Sequence, residues 1–222
     1  MIILLTHISM KNIAILGTGQ VGQKLAVGFL KNDYSVTFGT HHPDKTMEWQ
    51  DPSLEGSKVL AYADAAKIGD LVVMALKGTA AESVVTEVIS ALQEKTVMDV
   101  TNPIADVPPV DGVLKFFTNL DESLMERLQN IAPQAHFVKA FNSVGNAHFI
   151  NPQFGTTPSM FICGNDADAK KEIATIVRAF GWDVEDMGKA TAARAIEPLC
   201  MLWCIPGLLH NEWMHAFKVL KK

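Results

Sequence analysis

The sequence is short of cysteine, of tyrosine and of excess positive charge, and each shortage removes a class of protein. Cys163, Cys200 and Cys204 are the three cysteines in 222 residues, an odd and scattered set that suits a reducing compartment better than a disulfide framework. A cytoplasmic setting is expected. Nineteen Lys and Arg stand against twenty-four Asp and Glu, net −5, with no basic run to track a line of phosphates. Nucleic acid is therefore not an expected partner. The longest apolar stretch, Leu199–Leu209, is broken by Pro206 and Gly207 and is about half of what a bilayer crossing needs, so no membrane span is expected. The apolar start, Met1–Ser9, has no basic residue ahead of it and no small-residue cleavage signal. It does not read as a secretory leader, and Met10 is a candidate start. The two tyrosines, Tyr34 and Tyr62, are followed at +4 by Phe38 and Ala66, which excludes the Tyr-x-x-x-Lys chemistry of short-chain dehydrogenases. No Gly-x-Ser-x-Gly elbow is present either.

What is there is a globular composition, 48% hydrophobic and 19% charged, with enough apolar material for one large core. Lys11–Gly17 reads as a buried strand, and Val21, Leu25, Gly28 and Phe29 then fall on one helical stripe ending near Asn32 and Asp33. Further strands are expected at Ser35–Gly39, Val59–Ala61, Leu71–Leu76, Thr96–Val100, His136–Phe141, Ser159–Cys163 and Val184–Met187. Thr79 and Glu82 have the spacing of a capping box, Asp121 is placed to cap a helix bearing Leu124, Leu128 and Ile131, and Asp166 one bearing Ile173 and Val177. The tail from Ala190 reads as helix broken at Pro206, with Leu199, Leu202 and Leu208 as packing surface. Strands and helices in this alternation predict an α/β fold: a doubly wound parallel sheet, Rossmann-like, with a small helical C-terminal extension. The expected division is a dinucleotide-binding domain over 1–150 and an extension over 151–222 that closes the cleft. Ligands on such sheets bind at the strands' carboxyl ends.

Gly17-Thr18-Gly19-Gln20-Val21-Gly22 matches G-x-G-x-x-G between a buried strand and an amphipathic helix. The glycines allow a tight turn, close approach of a pyrophosphate and close helix–strand packing, with the helix N-terminus facing the anion. The bland alternative is three glycines that only permit a sharp turn. An NAD enzyme places a carboxylate about 20 residues on to hold the ribose 2′-OH. Here stand Thr40, His41, His42 and, nearby, Lys45, all able to donate to a 2′-phosphate, so NADP is preferred over NAD. The alternative is that both histidines are solvent-facing turn residues.

With these residues, Asp99-Val100-Thr101-Asn102-Pro103, Lys139-Ala140-Phe141-Asn142-Ser143, Ala192-Ala193-Arg194 and Glu197-Pro198-Leu199 in view, the chain resembles the NADP-dependent oxidoreductases related to coenzyme F420:NADP reductases, a fold also found in the cytosolic domain of STEAP metalloreductases. The resemblance implies hydride transfer between NADP(H) and a second redox carrier, such as a flavin or F420, in a small-molecule enzyme. It implies Thr18, Gly19, Gln20 and Val21 at the pyrophosphate, and Thr40, His41, His42 and Lys45 at the 2′-phosphate. Ala75, Leu76 and Lys77 would lie along the cofactor's middle, and Asn102, Pro103 and Ala140 would border the nicotinamide. The chain departs from that pattern at Thr40-His41-His42, where those reductases carry a serine and arginines, and Ala75-Leu76-Lys77 lacks their proline. No catalytic residue is named, because hydride passing between two aromatic carriers needs alignment and shielding more than a proton donor.

Other features have plainer readings. Asn102 before Pro103 is also a common turn dipeptide. Cys200 and Cys204, at i and i+4, lack a second pair of metal ligands nearby and read as core, and no metal is expected. Arg194 and Glu197 read as a solvated helix pair and His210–His215 as helix surface. A homodimer through the apolar tail is expected, and a non-catalytic NADP(H)-binding sensor is the alternative to an enzyme.

Overall fold

The computed structural model describes residues 10–222, and the apolar start Met1–Ser9 lies outside the described residues. Strand β1 (Asn12–Leu16) is apolar on both faces because helices cover both: Ile13 and Ile15 enter one core cluster, Ala14 and Leu16 the other. Helix α1 (Gln20–Leu30) follows, then β2 (Ser35–Thr40), β3 (Lys58–Ala61), α2 (Tyr62–Ile68), β4 (Leu71–Met74), α3 (Gly78–Val88) and β5 (Thr96–Asp99). The chain continues through α4 (Leu124–Ile131), β6 (His136–Lys139), β7 (Ser159–Gly164), α5 (Ala167–Ala179), β8 (Asp183–Asp186) and α6 (Ala193–His210). The strands form one eight-stranded sheet in the order β3-β2-β1-β4-β5-β6-β7-β8. Residues of α1 and α5 pack in one core cluster; those of α2, α3 and α4 pack in the other. The doubly wound expectation holds.

The sheet is parallel from β3 through β6, but β7 runs antiparallel to β6, pairing Val138 with Gly164 and Lys139 with Cys163. The purely parallel expectation is corrected there. A parallel return needs a crossover, usually a helix, and between β6 and β7 the only helical piece is the 3-10 turn Asn146–His148. Beyond the reversal β8 is parallel to β7.

Four local expectations change. Thr79 lies inside α3, whose N-cap is Lys77, and its hydroxyl donates to Asp106 at 3.3 Å rather than capping. The capping box belongs instead to α4, where Ser123, not Asp121, is the N-cap and Glu126 returns the bond. Asp166 does cap α5, accepting from the Ala169 N–H at 2.7 Å. Helix α6 runs on through Pro206 to His210 and ends at Asn211, whose φ of +56° turns the chain back. His210–His215 is therefore a reversal, not helix surface: the His215 ring stacks on Trp203 with centroids 5.0 Å apart, and Trp203 Nε1 donates to the His215 carbonyl.

Among the described residues one segment, Ala190–His210, is long and apolar enough to cross a membrane, with mean hydropathy 1.3. It packs on the molecule, with Ala193 and Ile196 in one core cluster and Trp203 in the other. Cys200 is buried and Cys204 half-buried. Hydrogen bonding to Cys204, reinforced by burial, raises the Cys200 thiol above the usual range.

Candidate active site

The chain leaves β1 at Gly17 with φ +120°, a conformation L side chains rarely adopt, and a Cβ there would lie 2.2 Å from the Ala75 carbonyl oxygen. The turn is thus seated against the end of β4. Gly22 is equally confined, since its Cβ would meet the Gly17 carbonyl oxygen at 2.3 Å. Gly19 differs: nothing lies within 4 Å of a Cβ built on it, and it is the N-cap of α1 with no side-chain cap and no acidic residue in the first turn. The first N–H groups of α1 therefore look onto open space with their partial positive charge uncancelled. That cradle fits a pyrophosphate.

A cleft of about 670 Å³ opens from this turn, lined by Gly17, Thr18, Gly19, Gln20, Val21, Ala75, Leu76, Lys77 and Asn102 among the residues expected from sequence. The size is that of a ligand site. Tyr62, Gly78, Val100, Thr101, Ile104 and Asp106 complete the lining and were not singled out as site residues by sequence reasoning. Gly22, Pro103 and Ala140 are buried behind the wall. Thr40, His41, His42 and Lys45 lie beyond the lining at the end of β2, the strand next to β1. His41 sits edge-on to the Tyr62 ring at 4.6 Å and 3.9 Å from a Glu87 carboxylate oxygen; His42 and Lys45 are exposed. Tyr62 thus connects the cleft to the histidines, and burial followed by the Glu87 charge raises its phenol above the usual value.

Beneath the cleft lies a charge cluster that the sequence motifs contained but did not reveal as a unit. Asp99 and Lys139 are register partners across β5 and β6, both fully buried, with Asp99 Oδ2 2.7 Å from Lys139 Nζ. Glu197, 1% exposed, reaches in from α6 to place Oε1 2.9 Å from the same ammonium. Its oxygens also accept the Leu124 and Met125 N–H groups at 2.9 and 3.0 Å, filling the N-terminus of α4. Burial would pull the lysine pKa down, but the two carboxylates outweigh it and hold the ammonium above its ordinary value. The solvated Arg194–Glu197 pair is therefore corrected: Glu197 points inward, while Arg194 forks onto Glu126 at 2.7 to 3.1 Å. The Arg194 hydrogen bond holds the Glu126 carboxyl down at about 2.

Above this cluster the Asp99 Oδ1 accepts the Thr101 N–H and hydroxyl at 2.9 and 2.7 Å. Asn102 donates to the Asn142 carbonyl at 2.8 Å, so its role as a bare turn former is replaced by a cross-link between two loops. Buried Cys163, on β7, has its thiol pushed up to about 12 by burial, which makes it an inert neighbour. Among the described residues no group of three or more His, Cys, Asp or Glu stands ready to hold a metal.

The arrangement has known counterparts. Residues 12–103 match the family described as NADP oxidoreductase, coenzyme F420-dependent. The crystal structure of an Arthrobacter sp. FB24 protein assigned to the F420-dependent NADP-reductases superposes with a TM-score of 0.86 at 30% identity, covering 94% of this chain and 99% of that one. The F420-dependent NADP reductase of Methanocaldococcus jannaschii is 28% identical over 201 residues, 86% of this chain and 89% of its own. Rat metalloreductase STEAP3 is 29% identical over 202 residues, and there the chain spans only 38% of the relative's length. A glycine turn on a bare helix end, the cleft it opens and a likeness along nearly the whole chain converge: the protein belongs to the F420-dependent NADP oxidoreductase family.

Proposed function

We propose that this protein is an NADPH-dependent oxidoreductase that passes a hydride between NADP(H) and a second planar redox carrier such as a flavin or F420. The observation that carries the reading is the uncapped N-terminus of α1 facing open space over Gly19 at the mouth of the cleft. In this reading Thr18, Gly19, Gln20 and Val21 bind the pyrophosphate and the groups at the end of β2 take the 2′-phosphate. Ala75, Leu76 and Lys77 flank the middle of the cofactor, and Asn102, with Pro103 and Ala140 behind it, borders the nicotinamide. NADPH supplies the hydride, and the acceptor takes it up with one proton. The chain's own part is to orient and to exclude water, in keeping with a lining in which Lys77 and Asp106, 3.7 Å apart at the rim, are the side chains of Lys, Arg, Asp or Glu type.

Residues 1–150 then form the cofactor-binding part and 151–222 the part that closes the cleft. Exposed Leu202, Leu208 and Leu209 on α6, at 55%, 40% and 49%, supply the surface through which two copies would pair; sedimentation of the wild type against a Leu202→Glu, Leu209→Glu double variant tests it. The activity is tested by following NADPH oxidation at the nicotinamide absorbance band against flavin, deazaflavin, quinone, ferric and dicarbonyl acceptors. Turnover with one of the ring carriers is expected. Tight NADPH binding with no turnover in any arm would make the protein a cofactor-binding sensor instead, and no binding would end the reading.

A further inference from the structure

The buried cation under the cleft is not explained by packing. An ammonium at 0% exposure between two carboxylates costs desolvation of three charges, and apolar side chains of the same volume commonly serve stability as well or better. What the lysine does hold is main chain at the cleft. Lys139 Nζ donates to the Thr101 carbonyl at 2.9 Å, while Asp99 holds the Thr101 N–H and hydroxyl. Thr101 and Asn102 both line the cleft.

The same strand end carries a second unusual feature. Phe141 is buried, with φ +55°, a conformation costly for a bulky side chain and found where surrounding structure over-determines it. The kink at Phe141 leads directly to Asn142. The Asn142 amide donates to Asn102 Oδ1 at 3.2 Å and to the Ile196 carbonyl at 3.0 Å, so this side chain ties the loop to the cleft and to α6. Glu197, the next residue of α6, is the lysine's second carboxylate.

We propose that Lys139 is a positioning residue: bridging Asp99 and Glu197, it fixes the Thr101–Asn102 floor of the cleft and makes that floor depend on the seating of α6. The proposal rests on the reading that NADP(H) occupies the cleft with its nicotinamide half over this floor. The adenine half, held at the glycine turn and the end of β2, is then outside the reach of Lys139. This separates a positioning role from a general loss of stability.

The test titrates the wild type and variants with NADPH and with adenosine 2′,5′-bisphosphate, which carries the adenine half alone. Lys139→Met is expected to weaken NADPH about tenfold or more while the bisphosphate stays within about twofold. If Lys139→Met does not fold because it strands two buried carboxylates, the triple variant Asp99→Asn, Lys139→Met, Glu197→Gln removes all three charges with side-chain volumes nearly kept. It is expected to show the same NADPH-selective loss. Equal losses for both ligands, or wild-type NADPH affinity in the charge-free variant, would overturn the proposal. A wild type that binds the bisphosphate but not NADPH, or neither, would instead overturn the cofactor reading beneath it.

Discussion

A Cβ on Gly78 would stand 2.0 Å from the carbonyl oxygen of Asn102. The first turn of α3 and the loop after β5 therefore meet main chain to main chain, and any side chain at 78 must push Asn102 away from its bond to the Asn142 carbonyl. Gly78→Ala is expected to destabilise the fold by about 1–3 kcal/mol and to weaken NADPH binding, read by a thermal melt and a fluorescence titration. A stable variant with wild-type affinity would show that the two loops move independently.

Two glycines of the first turn should separate by experiment. Gly19→Val meets open space in the protein alone, so it should fold as the wild type and lose NADPH binding, because its side chain takes the pyrophosphate's place. Gly17→Ala forces a Cβ against the Ala75 carbonyl at an unfavourable φ and should lower the melting temperature. Retained NADPH affinity in folded Gly19→Val would remove the cofactor from this turn.

Acid stability should carry the signature of Glu126. Its carboxyl falls from an ordinary 4.5 to about 2, first through the Arg194 hydrogen bond, against the opposing pull of burial. A depressed folded-state value stabilises above the unfolded value, so the contribution is complete above about pH 4.5 and is lost as pH falls toward 2. Arg194 is 40% exposed, and after allowance for solvent screening about 1–2 kcal/mol remains. Glu126→Gln should flatten that part of the stability profile measured by urea titration from pH 6 to pH 2.5. An unchanged slope would assign the acid sensitivity elsewhere.

Cofactor choice should depend on the histidines if the end of β2 receives the 2′-phosphate. His41 and His42 stand there as hydrogen-bond donors, with Glu87 3.9 Å from His41 as the competing anion. Replacing both histidines with Ala should narrow the preference for NADPH over NADH by about 1–3 kcal/mol. Calorimetric titration of both cofactors decides it: an unchanged preference leaves Thr40 or Lys45 as the phosphate's partner.

The parts of this molecule that are legible in its sequence are those set by local pattern. The run Ile13–Leu16 ending in glycine, the α1 stripe and Asp166 before α5 each declare their element within a few residues, because burial period and capping are short-range. The antiparallel β7 was not legible, since Ser159–Gly164 has the same apolar character in either direction and orientation is fixed by the connection before it. The Lys139 cluster was hidden for a different reason. Asp99, Lys139 and Glu197 come from three distant segments, and a charged residue near a strand end reads as solvent-facing until the partners that compensate its burial are known. Tyr62 was missed because the short helix α2 that carries it has little period to detect. Thr79 misled because a capping-box spacing occurs by chance, and here Lys77 starts the helix two residues earlier.

The single reversal at β7 decides where the chain finishes. With six strands parallel, each β-to-α step climbs to one rim and each helix descends. Had β7 kept that sense, β8 would also have ended at the cleft rim and a following helix would have led away from it. Running the last two strands the other way sends the chain after β8 down past Gly164 to Asn165, whose side chain receives the Ala190 N–H. Helix α6 must then ascend, arriving at the cleft end with Ile196 and Glu197 against Asn142 and Lys139. An odd number of direction changes thus acts as a return ticket for the C-terminal helix, and any insertion that restored the lost crossover would strand that helix on the far side of the sheet.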